Sequence, residues 1–313
     1  MDITYLLWLQ DFRNAINDSL TPFMEWISLF GVREILLLPA FVYWCLNKRT
    51  GLFILLSWKI SQTLNAIVKL SACVYRPWVR DARIIPAGDA IKTAGGYSFP
   101  SGHTMMVTPI YGGLAIYAKK IKWLCALFIL AILVTMFSRN YLGVHTPQDV
   151  VVGLFLGIFS LYVADFLLKY IDKHPEKDTL VMILCAAAGI LTLVYVTNKS
   201  YPMDYVDGKL LVDPEKMTID AWGDAGAFAS LALAWYIESR FIKFEPTGWN
   251  FKGVVICVIG LVPLYWLIYN LGGITAGFFG PHWGKLVSKT ILIFYIMIFW
   301  PIVLKLTTGK KNS

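Results

Sequence analysis

Residues 122–170 read KWLCALFILAILVTMFSRNYLGVHTPQDVVVGLFLGIFSLYVADFLLKY, two apolar runs (122–141 and 148–170) joined by a short turn. Each run supplies the ~20 residues with which an α-helix crosses a hydrocarbon core of about 30 Å. A bilayer offers no water to backbone N–H and C=O groups, so such runs must satisfy their own hydrogen bonds as helices. Working outward from this pair, the same pattern predicts about nine spans: 24–46, 51–72, 101–118, 122–141, 148–170, 178–197, 219–239, 252–271 and 285–306. The fold class expected is all-α, a polytopic helical membrane bundle.

Composition agrees. Of 313 residues, 57% are hydrophobic and only 15% are charged, and mean hydropathy is +0.61. A soluble domain carries about a quarter of its residues charged. The net charge of +8 does not call for nucleic acid, because membrane proteins concentrate Lys and Arg in cytoplasmic loops. The five cysteines (Cys45, Cys73, Cys125, Cys185, Cys257) are scattered, without a CxxC pair. They imply neither a disulfide framework nor a metal site. The first twenty residues mix Asp2, Asp11, Arg13 and Asp18 with Leu6, Leu7, Trp8 and Leu9, which suits an interfacial helix over 1–20 better than a secretion signal.

Lys and Arg also set an orientation. Lys48 and Arg49, Lys119, Lys120 and Lys122, Lys169, Lys173 and Lys177, Arg240, Lys243 and Lys252, and Lys305, Lys310 and Lys311 fall on one side of the expected bundle. That side is expected to be cytoplasmic. The loops 73–99, 142–147 and 198–218 then lie outside the cytoplasm. A basic cluster within 69–92 opposes the rule, and anion binding is the obvious reason for it.

Three segments on that outer side carry chemistry: KLSACVYRP (69–77), PSGH (100–103) and SRNYLGVHTPQD (138–149). Lys69, Arg76 and Arg139 supply three positive charges, and a guanidinium fork fits a tetrahedral oxyanion. Ser101 brings a hydroxyl, and Gly102 lets N–H groups approach an anion at a helix N-terminus. Phosphoryl transfer is catalysed mainly by positioning and by stabilising charge on the equatorial oxygens, and this set can do so without a metal or cofactor. His145 precedes Asp149 by one helical turn, so the carboxylate can hold one ring nitrogen while the other attacks phosphorus. His103 is left for general acid work on the leaving oxygen.

K-x6-RP, PSGH and SR-x5-H-x3-D resemble the signature motifs of the type 2 phosphatidic acid phosphatase superfamily, and every defining position is matched. The resemblance covers roughly residues 20–170. It implies Lys69, Arg76, Ser101, Gly102 and Arg139 as phosphate ligands, His103 as acid, His145 as nucleophile and Asp149 as its orienting partner. The expected organisation is an interfacial helix (1–20), a phosphatase core (21–175) and additional transmembrane helices (176–313). The first motif after two spans, with extra helices behind the core, is similar to the glucose-6-phosphatase and sphingosine-phosphate phosphatase branches.

Other polar residues have plainer readings. Gln62 and Asn65 share a helix face with Lys69 and form a polar inner wall or inter-helix hydrogen bonds. Lys59 and Asp165 lie inside spans, where they pair or line a cavity. His174 is a cytoplasmic loop residue, and His282 lines an entrance or is an ordinary loop histidine. Arg80, Asp81, Arg83, Asp89 and Lys92 belong to a solvated loop or meet substrate.

The function expected is a membrane phosphatase acting on a lipid phosphate or polyprenyl diphosphate. A soluble sugar phosphate, or transfer of the phosphoryl group to an acceptor, is the alternative. The expected place is a bacterial plasma membrane with the site on the extracytoplasmic face. The endoplasmic reticulum is the alternative, for which Lys310 and Lys311 resemble a dilysine retrieval signal and Asn17 and Asn198 begin sequons.

Overall fold

The structure, a computed structural model, describes residues 2–32, 34–206 and 208–308; Lys310 and Lys311 lie outside these residues. Its helices are α1 (Asp2–Ala15), α2 (Thr21–Phe30), α3 (Leu37–Phe41), α4 (Lys48–Ala72), α5 (Pro77–Arg80), α6 (Gly102–Tyr117) and α7 (Lys122–Tyr141). They continue with α8 (Pro147–Lys173), α9 (Asp178–Asn198), α10 (Pro214–Ile237), α11 (Phe251–Phe279), α12 (Pro281–Phe294) and α13 (Trp300–Thr308). A two-residue hairpin, Tyr205–Val206 against Lys209–Leu210, sits between α9 and α10.

Local chemistry fixes the helix ends that matter. Asn47 caps α4 by accepting from the Thr50 N–H at 2.8 Å, and α4 stops at Cys73, which adopts a left-handed conformation (φ 48°). α8 opens with Pro147 in its first turn and a reciprocal capping box between Thr146 and Asp149. Ser101 is the N-cap of α6. Thus the end of α4, the start of α6, the end of α7 and the start of α8 are the places where the three motifs lie.

Among the described residues, seven helical segments are long and apolar enough to cross a membrane: Thr21–Leu46, Lys48–Arg80, Lys122–Tyr141, Pro147–Lys173, Pro175–Asn198, Phe251–Phe279 and Pro281–Thr307. The outward faces of these helices are apolar, with Phe155, Phe159 and Phe166 exposed on α8, Leu184 and Leu191 on α9, and Val262 and Trp266 on α11. Lipid, not water, is the solvent for such a surface. The chain is a multi-pass membrane protein.

The two remaining expected spans, 101–118 and 219–239, are helices α6 and α10. α6 has 16 residues, and α10 carries Asp220 and Asp224 among small residues. Both are interior. α6 packs on α4, α7 and α8, and α10 on α4, α9 and α12. A helix shielded by neighbours is free of the apolar length that lipid contact demands. Helix α4 touches both and is the axis of the bundle.

At the end of the bundle away from the motifs, ion pairs join the helix ends. Lys48 meets Glu238 at 2.6 Å, Arg49 meets Asp172 at 2.5 Å, and Arg240 meets Asp178 at 2.6 Å. Asp165 pairs with Lys169 on its own helix at 2.7 Å, so it is not a partner of Lys59. On the motif side, α1 lays Leu6 and Leu9 against Ile84, and Arg80 pairs with Asp2 at 2.9 Å.

Candidate active site

The site is built where four helix ends meet. Lys69, in the last turn of α4, is buried. Its ammonium donates to the carbonyls of Tyr97 (3.2 Å), Ser98 (3.1 Å) and Pro100 (2.5 Å). Arg76, just before α5, is held likewise: Nε donates to Gly96 O (3.1 Å), Nη2 to Gly95 O (3.2 Å) and Nη1 to Val144 O (2.9 Å). The segment 95–100 therefore acts as a carbonyl cradle for both cations. Carbonyl dipoles satisfy the donors without cancelling the charge, which leaves each cation positive toward the site.

His145 is buried between Arg76 and Asp149. Arg76 Nη1 lies 2.8 Å from His145 Nε2, and Asp149 Oδ2 lies 3.2 Å from Nδ1. A guanidinium only donates, so Nε2 must offer its lone pair and the ring proton sits on Nδ1, facing the carboxylate. That tautomer follows from the partners. The Asp149 oxygen also accepts from Ser98 Oγ (2.5 Å) and from the Thr146 N–H (2.8 Å), and the Asn140 amide donates to the His145 carbonyl (2.9 Å). Burial, and after it the charges of Arg76, Lys69 and Arg139, hold the imidazole pKa well below the usual histidine range. The ring is neutral at pH 7.

Arg139 is fully buried at the end of α7. Nη1 donates to Ser28 Oγ on α2, while Nε and Nη2 have no partner. A cavity of about 260 Å³, lined by Ser28, Glu25, Leu29, Lys92 and Leu142 among others, reaches this guanidinium. His103 faces the same charges: Arg139, His145, Arg76 and Lys69 are its electrostatic neighbours, and its Nε2 is buried without a partner. The two imidazoles therefore belong to one cluster.

Ser101 and Gly102 sit beside it. Ser101 Oγ accepts from the Thr104 N–H at 3.5 Å and its own N–H donates to Asp149 O at 2.9 Å. A Cβ on Gly102 would meet the Asn65 amide at 3.5 Å, an ordinary contact, so glycine is not required there by space. Asn65 Oδ1 and Gln62 Nε2 are buried and unpartnered; Asn65 borders the site as the inner wall expected of α4.

All eight sequence-selected residues thus come together, and several of their neighbours were not selected. Ser98, Ser28, Asn140 and the carbonyls of Gly95–Ser98 position the cluster; Asn140 lies within the segment 138–149 and Ser98 two residues before PSGH, while Ser28 and the carbonyls offered no signal. His282 is elsewhere, 3.3 Å from Thr218 and 3.6 Å from Glu215, and does not reach the cluster. The loop charges pair locally, Arg83 with Asp81 and Lys92 with Asp89, each at 2.7 Å.

Helical bundle and buried cation–histidine cluster together define a multi-pass membrane protein with a cationic, histidine-containing site at one end. The PAP2 superfamily model matches residues 50–174, a stretch that contains every one of these eight residues. An undecaprenyl-diphosphatase of Sulfolobus acidocaldarius is 30% identical over 149 residues, 47% of this chain and 69% of that protein. Phosphatidylglycerophosphatase B of Bacillus subtilis is 29% identical over 160 residues, covering 48% and 71%. A lipid A 4'-phosphatase of Bacteroides thetaiotaomicron is 30% identical over 91 residues, covering 28% and 39%. No solved structure matches the chain significantly. The chain belongs to the PAP2 superfamily.

Proposed function

We propose that the chain is a membrane phosphatase that hydrolyses a lipid phosphate or polyprenyl diphosphate through a phosphohistidine on His145. The observation that carries this reading is the state of His145: a neutral ring whose Nε2 lone pair meets Arg76, with Lys69 and Arg139 as further charged neighbours, while Asp149 holds Nδ1–H. The relatives' names supply the substrate class, since all three act on phosphorylated lipids or isoprenoids.

Arg76 Nη1 occupies the Nε2 lone pair of His145 at 2.8 Å. A phosphoryl oxygen is a stronger acceptor for a guanidinium than a neutral imidazole, being charged, so substrate binding draws Nη1 from Nε2 to the phosphate and frees the lone pair. The orphaned Nε and Nη2 of Arg139 take further oxygens. Nε2 then attacks phosphorus, the bond to the leaving oxygen breaks, and His103, protonated once the negative charge of the bound phosphate offsets the surrounding cations, gives that oxygen its proton. In the second step water attacks phosphorus, His103 accepts a water proton, the P–N bond breaks and Nε2 regains its pair. Three fixed cations neutralise the charge of the transferring group in both steps, without metal assistance.

The reading places the site on the extracytoplasmic face of a plasma membrane. Its support is the Lys and Arg carried at the opposite helix ends. A site at the mouth of a bundle suits an amphiphile whose head enters while its chain stays in lipid.

The test is phosphate release by the protein in detergent from undecaprenyl diphosphate, phosphatidylglycerophosphate, phosphatidate and glucose 6-phosphate, with and without EDTA. Lipid substrates should be turned over and chelation should leave the rate unchanged. His145→Ala should lower kcat by about 10⁴-fold or more and abolish acid-labile labelling by a ³²P substrate. Sustained turnover by that variant would remove the nucleophile assignment. A preference for glucose 6-phosphate would overturn the substrate class.

A further inference from the structure

Three of the helices that meet at the phosphate site end at different depths on the other side of the membrane. Their site ends are level. The N–H of Ser101, N-cap of α6, donates to Asp149 O in the first turn of α8 at 2.9 Å, and Lys69 in the last turn of α4 donates to Pro100 O. From that level α6 runs for only 16 residues, whereas α8 has 27 and α4 has 25. At 1.5 Å per residue, α8 outruns α6 by about 16 Å. α4 and α8 therefore continue past Tyr117 with no α6 beside them. The recess left there is a cavity of about 700 Å³, within the size range of sites that take a drug-sized ligand.

Its lining is divided by depth. Phe53 and Leu161 form an apolar inner wall, and Ile116 and Ile158 stand exposed at its edge, in the lipid-facing surface. The outer part carries Arg49, Lys119 and Lys169 against Asp165 and Asp172. Arg49 pairs with Asp172 and Lys169 with Asp165, but these side chains are 44–70% exposed, and exposed pairs are weak enough to exchange partners. Among the described residues Lys119 makes no ion pair. The turn that carries it, residues 118–122 (AKKIK), holds three lysines and no acid. The rim is therefore left with a positive charge in excess. Basic pockets between transmembrane helices take anionic lipid head groups, and an apolar wall open to lipid below a cationic rim fits an amphiphile of that charge. We propose that this recess holds one anionic phospholipid of the leaflet opposite the phosphate site, with its head group on Lys119, Arg49 and Lys169 and its chains against Phe53, Ile116 and Ile158. The lipid fills the space that the short α6 leaves and so buttresses the helix whose other end presents Ser101, Gly102 and His103.

This site uses no residue of the phosphatase centre, so its failure would leave that reading untouched. Phosphatidylglycerol is the probe, because a phosphodiester has no terminal phosphate for the centre to remove. Thermal unfolding of the detergent-solubilised protein should show a saturable rise in Tm, by about 3 °C at tenfold excess over the dissociation constant. Phosphatidylcholine with the same chains should give a much smaller rise, and glycerophosphoglycerol, the head group without chains, none. Lys119→Glu should weaken phosphatidylglycerol binding by about tenfold or more. Lys252→Glu, which reverses an exposed charge on α11 outside the recess, should leave it unchanged. Equal rises with the two lipids, a rise with the head group alone, an unchanged affinity in Lys119→Glu, or equal losses in the two variants would overturn the proposal. If Lys119→Glu does not fold, a photoactivatable phosphatidylglycerol on the wild-type protein decides. Cross-links concentrated in 49–53, 116–119 and 158–169 support the site, and cross-links spread over the lipid-facing helices with no excess there refute it.

Discussion

Helix α4 carries two buried lysines, Lys69 in its last turn and Lys59 about 15 Å back along the axis at 1.5 Å per residue, and their surroundings differ in kind. Lys69 and its neighbour Arg76 are held by backbone carbonyls of residues 95–100 and Val144. Among the described residues, Lys59 stands over the Trp58 ring without an ion pair, and its neighbour Lys285 is paired with the Asp220 carboxylate of α10. Carbonyls fix a cation without neutralising it; carboxylates neutralise it. The first group therefore sets three cations (with Arg139) against the single carboxylate of Asp149, an excess that suits a phosphate carrying about two negative charges. The difference separates cations whose charge stays available to an incoming anion from a lysine that burial and an aromatic ring surround.

The comparison breaks most decisively at Asp149, which belongs to both chemistry and fold. Its Oδ2 serves His145 Nδ1, Ser98 and the cap of α8 at once. Asp149→Asn keeps an oxygen for the cap but no longer dictates the ring tautomer, so kcat should fall by about 10³- to 10⁴-fold with Tm nearly unchanged. Asp149→Ala should add about 1 kcal/mol of lost capping. Steady-state kinetics beside calorimetry separates the two. An equal loss of stability in both variants would show that the carboxylate is mainly structural.

Arg76→Lys comes next. A lysine keeps the charge but not the fork that spans Gly95, Gly96 and Val144, and kcat/KM should drop by about 10²- to 10³-fold. Arg76→Gln adds a sign to check. The cations beside His145 disfavour the imidazolium and depress its pKa. Removing one raises that pKa, so the acid limb of the kcat/KM profile, expected well below pH 6.5 in the wild type, should move to higher pH. Burial is the larger cause and persists, so the limb should not reach the solvent value. A limb that stays put would dissociate Arg76 from His145 in the working enzyme.

What the sequence made legible follows the same physical line. Lys69, Arg76, Ser101, Gly102, His103, Arg139, His145 and Asp149 stood out because cations, a hydroxyl, two histidines and a carboxylate recur at set spacings at the ends of successive apolar runs. The cradle of Gly95–Ser98 could not be read, because backbone carbonyls have no residue identity and Ser98 sits in an aperiodic loop. Length and hydropathy alone mark seven spans among the described residues, because they assume contact with lipid and α6 and α10 have little of it; both expected segments are helices nonetheless. Lys59 was visible as an oddity, but its partners are on helices far along the chain and no spacing links them.

Ser98→Ala is the subtler probe. Ser98 Oγ donates to Asp149 at 2.5 Å and touches no reacting atom, so it acts as a positioning residue. Its loss should cost about tenfold in kcat with KM little changed, and threonine should restore part of the rate. A change confined to KM would move Ser98 from orienting the carboxylate to contacting substrate.

The smallest effect expected comes from Met217, and it probes whether the C-terminal helices matter to the matched segment. Its sulfur accepts the Tyr97 N–H at 3.0 Å, in the first turns of α10. Gly96, at φ +74°, lies so close to the same side chain that a Cβ there would collide with it. The two residues flank the carbonyls that grip Arg76 and Lys69, so α10 is a backstop for the cradle. Met217→Leu keeps most of the bulk and loses the acceptor; Met217→Ala loses both. If packing supports the loop, leucine should be near wild type and alanine should lower kcat/KM by about three- to tenfold. If the N–H···S contact matters, leucine should fall as well. Wild-type rates in both variants would show that the cradle is held by Lys69 and Arg76 alone and that α10 contributes nothing to the site.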